Sequence, residues 1–193
     1  MPAKGENVIN RIDNGIAYID ISTSKYPDTE TMIDETDIEI VVDGGTRWVP
    51  LKGKNTLYVV RHEGGRKGKH VLLHRRLLSL ENDKQGDHKN GNGLDNRRKN
   101  LRPASHEENA RNSRRRRNGT SSFLGVSWDA DRGKWVASIR SEDKKGRQSL
   151  GRFNDEIEAA RAYDRVAKVR YGEFANLNFG GDNGRVVSHR TRA

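Results

Sequence analysis

The chain has 193 residues, of which 32% are hydrophobic and 33% are charged. The low apolar share favours several small modules over one large core. The absence of cysteine excludes disulfides and thiolate zinc sites, so a bound metal would have oxygen or imidazole ligands. The sequence has no apolar run of membrane-spanning length and no signal-peptide pattern, so we expect an intracellular protein.

The formal net charge of +10 is concentrated in a short central band. Residues 97–117 carry nine basic and two acidic side chains, whereas residues 1–96 carry fourteen basic and fifteen acidic ones. Such a band is typical of a site that binds a polyanion, and it is also typical of a solvated linker. The two interpretations are compatible, because a flexible basic arm often becomes ordered on a phosphate backbone.

Residues 1–69 are predicted to form a β-rich N-terminal region. Residues 15–22 alternate apolar and polar side chains after a turn signal, which indicates a strand. Residues 31–42 are expected to begin as a short helix and finish as a strand, and residues 56–61 to form a further strand. Because residues 1–60 contain no catalytic constellation, we expect this region to support or orient the segment that begins at residue 70.

The apolar segment at residues 71–78 is interrupted by three basic side chains. Helical spacing puts Leu73, Leu77 and Leu80 on one side of a predicted helix and the basic residues mostly on another. His74 is interpreted either as a packed or hydrogen-bonded core residue or as part of a functional site, because a lone histidine carries little specificity.

A compact polar pattern begins at Asp87-His88. The next loop, residues 89–96, contains two Asn-Gly dipeptides, which let the backbone take positive φ and turn tightly. This turn is predicted to fold Asp87-His88 back beside Asn100-Leu101-Arg102.

A helix is predicted directly after this pair of strands. Ser105 and Glu108 have the spacing of a capping box, which marks the start of a helix. Asn109 then lies one turn inside that helix. The predicted order is therefore strand, turn, strand, helix.

This pattern resembles the HNH endonucleases, and within that family the homing nucleases of phages and introns. The resemblance covers roughly residues 70–112 and includes a His-Arg-x-Leu element at His74–Leu77. It implies a ββα-metal nuclease that uses Mg²⁺ or Mn²⁺, with His88 and Asn100 as catalytic residues and Asp87 and Asn109 as metal ligands. Asn100 would cross-link the loop by hydrogen bonds and orient His88.

The residue types suit phosphodiester hydrolysis. His88 can accept a proton from water near neutral pH, since the ordinary histidine pKa is about 6.5. Asp87 projects to the other side of an extended segment, where its oxygens can hold a divalent cation, and Asn109 can add an amide oxygen. The alternatives are an inactive surface turn and a fold that is kept while its activity is lost.

Four consecutive arginines come after the predicted helix, within a linker at residues 113–122. Small polar residues surround them, which is typical of a flexible connection. Arginine arms of this kind commonly enter the minor groove or follow phosphates, so we expect DNA contacts from them. The four are Arg114, Arg115, Arg116 and Arg117.

Residues 123–179 have the pattern of a three-stranded sheet backed by one helix. The predicted strands are residues 123–128, 135–140 and 148–153, and the turns between them contain Gly133 and Gly146. Asn154 is predicted to cap the helix, and Gly172 to end it.

This segment resembles the plant ethylene-response-factor DNA-binding domain and its bacterial and phage relatives. The match covers about residues 120–179 and includes Gly133-Lys134-Trp135, residues 159–164 and Leu177-Asn178-Phe179. It implies that the sheet lies in the major groove and that its exposed side chains read bases, Lys134 being included among the DNA-binding residues.

Strand alternation separates the two faces of this sheet. Trp135, Ala137 and Ile139 are predicted to face the helix, and the DNA-facing set is predicted to be Val136, Ser138, Arg140, Arg147 and Ser149. Trp135 is interpreted as core. Trp128 is left open between core and a stacking platform.

The resemblance has departures on the DNA-facing side. Leu124 and Ser127 stand where plant members usually have arginine, and Ser149 stands where they usually have tryptophan. The target sequence of the plant domain therefore does not transfer to this chain.

The predicted fold class is α+β. It consists of a β-rich N-terminal region, a ββα-metal HNH nuclease, and a three-stranded antiparallel sheet packed on one helix. The predicted divisions are residues 1–69, 70–112, 113–122, 123–179 and a basic tail at 180–193.

The predicted function is a site-specific DNA endonuclease with one divalent metal, acting as a monomer on double-stranded DNA. The first alternative is a sequence-specific DNA-binding regulator with an inactive HNH fold. A second is a structural RNA-binding protein, which explains the charge but not the polar pattern at residues 87–109.

Overall fold

A computed structural model describes residues 7–43, 46–64, 68–81, 84–111, 120–143 and 145–180. The chain divides into two compact units, Met1–Ala110 and Arg111–Ala193. Both are α+β, with predominantly antiparallel sheets and few helices, which confirms the predicted fold class at this level. Among the described residues, no helix combines the length and apolar character needed to cross a membrane.

The N-terminal unit begins with an antiparallel sheet in the order β1-β2-β3. Its strands are β1 (Val8–Asp13), β2 (Ile16–Asp20) and β3 (Glu30–Asp34). Asn14 and Gly15 make the tight turn between the first two strands, with φ of 50° and 75°. This confirms the strand predicted within residues 15–22.

The segment after β2 has the opposite order to the prediction. Strand β3 comes first, and a 3-10 turn (Glu35–Asp37) and the short helix α1 (Ile38–Val41) come after it. The prediction for residues 31–42 is wrong because the alternation of Thr31 and Ile33, both fully buried, belongs to a sheet.

A second antiparallel sheet has the order β4-β5-β6. It consists of β4 (Val49–Lys52), β5 (Leu57–Glu63) and β6 (Lys69–Leu72), and β6 leads directly into α2 (Leu73–Leu77). The predicted helix at residues 71–78 is therefore shorter than its apolar pattern indicates.

The polar pattern at residues 87–109 forms two paired strands and a helix, in the predicted order. Strand β7 (Gln85–His88) pairs antiparallel with β8 (Leu101–Ala104), a 3-10 turn (Arg98–Asn100) precedes β8, and α3 (His106–Arg111) comes after it. The predicted capping box is present: the Ser105 amide donates to Glu108 Oε2 at 2.8 Å, and the Glu108 amide donates to Ser105 Oγ at 3.3 Å.

One hydrophobic core serves the whole N-terminal unit. Side chains from β2, β3 and β5 pack with Leu73 and Leu77 of α2 and with Leu101 of β8. Backbone hydrogen bonds of Met32 with Leu94 and Asn96 also tie β3 to the loop at residues 89–96. Among the described residues, this core includes side chains on both sides of the predicted division between residues 69 and 70, and that division stays a prediction.

The C-terminal unit is a three-stranded antiparallel sheet with one helix packed against it. The sheet order is β11-β10-β9, with β9 (Val126–Asp129), β10 (Lys134–Arg140) and β11 (Arg147–Phe153). Helix α4 (Glu156–Tyr171) contributes Ala159, Ala160 and Ala162 to the core. These small residues allow the close approach of helix and sheet.

The boundaries of α4 differ from the prediction at one end. Asp155, not Asn154, is the N-cap, and its carboxylate accepts the amide of Glu158. Gly172 ends the helix with φ of 52°, as predicted. Asn178 fastens the end of the unit, since its side chain bonds both the amide and the carbonyl of Leu124 and its own amide donates to Asp164.

Candidate nucleic-acid interface and the Asp87-His88 segment

A bulge in β11 decides which side chains lie on the face of the sheet away from α4, called here the outer face. Ala137 pairs with Gly151 and Ser138 pairs with Ser149, so Leu150 is the extra residue on β11. Gly151 has φ of 132°, a conformation that residues with a β-carbon rarely adopt.

The bulge changes the orientation of the residues after it. Arg152 pairs with Val136 and so lies on the outer face, whereas Phe153 pairs with Trp135 and packs against the core under α4. Strict alternation continued from Arg147 and Ser149 would place Arg152 on the helix side. The glycine inside the strand is the sequence signal that could have shown the bulge.

The middle of the outer face is made of small side chains, and its basic residues lie toward the two ends of the strands. The small residues are Ser127, Val136, Ser138 and Ser149. Arg140 pairs with Arg147 at one end, and Lys134 and Arg152 lie toward the other. Val136 and Arg140 are four residues apart, which corresponds to about 13 Å along a strand.

Arg147 is held against the sheet at the Arg140 end. Its Nε donates to Ser138 Oγ at 2.8 Å, and its Nη2 donates to the Ser138 carbonyl at 2.7 Å. Arg140 is exposed. Two paired arginines therefore occupy this end, and Ser138 of the neighbouring strand fixes the guanidinium of Arg147.

The opposite end contains one carboxylate among several cations. Asp129 accepts hydrogen bonds from Arg152 Nε and Arg132 Nη1, both at 3.4 Å, and Lys134 donates to Asn154. Desolvation raises the pKa of Asp129, and the hydrogen bond from Arg152 and the charge of Arg132 lower it. The lowering effects together are larger, so the pKa of Asp129 lies below the ordinary value. The carboxylate is therefore ionised at neutral pH.

The two tryptophans lie on the helix side of the sheet. Trp128 pairs with Trp135 in the register, and their rings meet edge to face with centroids 5.0 Å apart. Trp135 packs against the core, while Trp128 is 41% exposed. Neither ring is therefore a stacking platform on the outer face. The predicted arginine arm, residues 114–117, lies outside the described residues.

In the N-terminal unit, His88 is buried beside an asparagine. Its Nε2 lies 3.1 Å from Asn96 Oδ1, and Asn96 donates in turn to Thr31 Oγ1 at 2.9 Å. Burial lowers the pKa of His88, and the hydrogen bond with Asn96 offsets only part of that effect. The imidazole is therefore neutral at neutral pH. Asn96 is a partner that the sequence pattern did not single out.

His74 is a buried residue packed edge to face against His88, with ring centroids 4.8 Å apart. Its Nδ1 has no hydrogen-bond partner within the described part of the chain. Burial lowers its pKa to about 3, with smaller contributions from His88 and Arg75. This environment agrees with the interpretation of His74 as a packed core residue, and a role for it in a functional site stays a prediction.

Asp87 is engaged in a buried ion pair. Its Oδ2 accepts Arg102 Nε at 2.9 Å and Arg102 Nη2 at 2.7 Å, and the two residues are opposite each other in the β7–β8 register. Asn109 donates through Nδ2 to Gln85 Oε1 at 2.8 Å. In this arrangement Asp87 and Asn109 do not fit a divalent cation, because a metal would have to displace the Arg102 guanidinium from Asp87.

Asn100 cross-links the loop at residues 89–96. Its Nδ2 donates to the Asp95 carbonyl at 2.7 Å, and its Oδ1 accepts the Asn90 amide at 3.0 Å. These contacts hold the turn that returns the chain from β7 to β8. Roles for His88 and Asn100 in catalysis, and for Asp87 and Asn109 in binding Mg²⁺ or Mn²⁺, stay predictions that these contacts do not test.

Comparison with known proteins found similarity to plant DNA-binding proteins. The chain is 48% identical over 65 residues to "Dehydration-responsive element-binding protein 2A" of Arabidopsis thaliana, a match covering 32% of this chain and 18% of that protein. It is 47% identical over 64 residues to "Dehydration-responsive element-binding protein 2C" of the same organism, a match covering 32% of this chain and 18% of that protein. It is 42% identical over 65 residues to "Ethylene-responsive transcription factor ERN1" of Medicago truncatula, covering 34% and 24%.

The chain therefore spans less than a fifth of the length of the first two relatives. The matched length is close to that of residues 120–179, where the sequence resembles the ethylene-response-factor domain. No family model matches the chain, and no solved structure matches it.

The comparisons correct the functional prediction. These relatives are named as element-binding proteins or as transcription factors, and they support a sequence-specific DNA-binding regulator. The prediction of a metal-dependent endonuclease is contradicted, and with it the assignment of the chain as a phosphodiester hydrolase. The part of the prediction that is supported is the ethylene-response-factor-like DNA-binding domain.

Proposed function

We propose that this chain is a sequence-specific DNA-binding regulator that reads double-stranded DNA with the outer face of its C-terminal sheet. The observation that carries the proposal is the pairing of Arg140 with Arg147 on a sheet face whose middle is lined by small side chains. Arginine donors can bind guanine edges bidentately, and small neighbours let the strands enter a major groove. The similarity to plant element-binding proteins supports the same function.

Within this proposal, the N-terminal unit has an HNH-like strand–turn–strand–helix segment that does not cut DNA. Two features support this. The Asp87 carboxylate is neutralised by Arg102, and the His88 imidazole is hydrogen-bonded to Asn96 in a buried position. The segment then has a structural role: Leu101 packs in the core of the N-terminal unit, and the loop at residues 89–96 is hydrogen-bonded to β3.

The DNA element named in the relatives is not proposed as the target of this chain. Leu124, Ser127 and Ser149 replace large or charged residues usual in the plant domain. Since side chains on the outer face determine which bases are contacted, these changes should alter the sequence preference.

Binding selection from a random duplex library, using the full chain, tests the proposal. We expect enrichment of one sequence family, and binding of the selected duplex that exceeds binding of a scrambled duplex of the same composition. Equal binding of both duplexes would contradict sequence recognition. The selection is repeated with MgCl₂, and recovery of cleaved duplex would contradict the assignment of a regulator.

A further inference from the structure

We infer that Arg152, held by Asp129, forms a second cationic contact on the outer face and binds a DNA phosphate across the major groove from Arg140 and Arg147. This inference rests on the proposed function and adds to it a residue that simple alternation would assign to the helix side. It comes from the bulge at Leu150, which brings Arg152 opposite Val136.

The spacing of the cations supports this arrangement. Arg152 is level with Val136, and Arg147 is level with Arg140, so the two positions are about 13 Å apart along the strands. The major groove of B-DNA is about 12 Å wide. In the inferred arrangement the strands run across the groove, so that one end of the outer face contacts base edges and backbone on one side while the other end lies near the phosphates of the opposite side.

The surface between these ends allows close approach. Val136, Ser138 and Ser149 carry short side chains, and the Arg147 side chain lies flat against Ser138, so the strands can come close to the groove floor. Arginine side chains at both ends can then extend beyond the level of the sheet and reach the flanking backbone.

The contact between Arg152 and Asp129 leaves the guanidinium equipped for a phosphate. Asp129 accepts a hydrogen bond from Nε of Arg152. The two terminal amino groups of Arg152 carry the remaining four of the five guanidinium N–H donors. A carboxylate facing DNA is repelled by phosphate, but here it lies among Arg132, Arg152 and Lys134, so this end of the face remains positive. The effect of the Asp129 carboxylate is to orient the side chains of Arg132 and Arg152.

A phosphate contact and a base contact have different consequences for binding. Phosphates occur in every sequence, so a residue that binds them raises affinity for all duplexes and increases the dependence of affinity on salt. Arg152 should therefore set overall affinity, whereas Arg140 and Arg147 should set preference between sequences.

The test compares the full chain with Arg152→Ala, Arg152→Lys and Arg165→Ala, on the selected and scrambled duplexes across a salt series. Arg165 is an exposed arginine of α4 and is the matched control for loss of one charge. Arg152→Ala should weaken binding to both duplexes by a similar factor and reduce the salt slope by about 0.9, the value for one phosphate. Arg152→Lys should keep the wild-type slope, because it retains the charge.

Two results would overturn the inference. In one, Arg152→Ala matches Arg165→Ala in affinity and slope, so that Arg152 has no contact of its own. In the other, Arg152→Ala loses affinity only for the selected duplex, which is the behaviour of a base-reading residue. Failure of the proposed function is distinguishable, since the wild-type chain would then not prefer the selected duplex at all.

Discussion

Asp87 and Arg102 face each other across two short strands and form a buried ion pair, in which Nε and Nη2 of Arg102 both donate to Oδ2 of Asp87. Removing one partner leaves the other charge buried and unpaired, which costs about 3–5 kcal/mol in comparable cases. Asp87→Ala should therefore lower the free energy of unfolding by several kcal/mol, measured by urea denaturation.

The control for this prediction is an exposed ion pair of similar length. Arg11 and Glu30 meet at 2.9 Å with 53% and 29% of their side chains exposed, so Glu30→Ala should cost only about 0–1 kcal/mol. The double variant Asp87→Leu with Arg102→Met should regain much of the loss, because it leaves no buried charge. Equal losses in Asp87→Ala and Glu30→Ala would contradict the buried pair.

Magnesium should leave the unfolding midpoint of the protein unchanged at matched ionic strength. A cation at Asp87 would have to displace Arg102, and Asn109 is hydrogen-bonded to Gln85. Thermal unfolding with MgCl₂ and with an ionic-strength-matched monovalent salt makes the comparison. A stabilisation by MgCl₂ that disappears in Asp87→Asn would contradict this prediction, because it would show that magnesium displaces Arg102 from Asp87.

The pH dependence of stability should carry the signature of buried His74. Its pKa is about 3 in the folded protein, below the ordinary value of 6.5, so the unfolded chain binds a proton that the folded chain excludes as the pH falls below 6.5. The free energy of unfolding should therefore decrease from pH 6.5 toward pH 3, by about 1.4 kcal/mol per pH unit from this residue, and not above pH 6.5.

The His74 contribution can be separated from those of other groups. Because Nδ1 of His74 makes no hydrogen bond among the described residues, His74→Leu breaks none at that atom. The variant should reduce the slope of the free energy of unfolding against pH between 5 and 6.5, measured by urea denaturation. The matched variant is His70→Leu, at an exposed histidine of β6. A reduction of the same size in both variants would contradict the assignment to His74.

Much of the secondary structure could be predicted from local sequence. The Asn14-Gly15 turn, the Ser105–Glu108 capping box and the end of α4 at Gly172 are all determined by residue types at fixed spacings. In each case the relevant interaction lies within a few residues of chain.

Features that depend on distant residues were not predictable in this way. The core shared by β2 and α2 brings Ile19 together with side chains more than fifty residues away, which no local pattern indicates. The pairing of Asp87 with Arg102 also depends on the register of two strands, and a pattern that assigns Asp87 to a metal does not include its neighbour across the sheet.

The bulge at Leu150 should depend on Gly151. A β-carbon at φ of 132° is strained, and here it would also lie 3.1 Å from the Phe153 ring. Gly151→Ala should therefore destabilise the protein by about 1–3 kcal/mol in urea denaturation. Gly146→Ala is the matched control, because a β-carbon there meets nothing within 4 Å. Comparable stability of the two variants would show that the bulge does not require glycine.

The most direct test of sequence reading by the outer face is the ratio of dissociation constants for the selected and scrambled duplexes, measured for the wild type, Arg140→Ala and Arg147→Ala. Each variant should lose about 1–3 kcal/mol on the selected duplex and much less on the scrambled one, so the ratio should fall toward one. If both variants weaken binding to the two duplexes equally and leave the ratio unchanged, the sheet contacts only the DNA backbone, which would contradict sequence reading by the outer face.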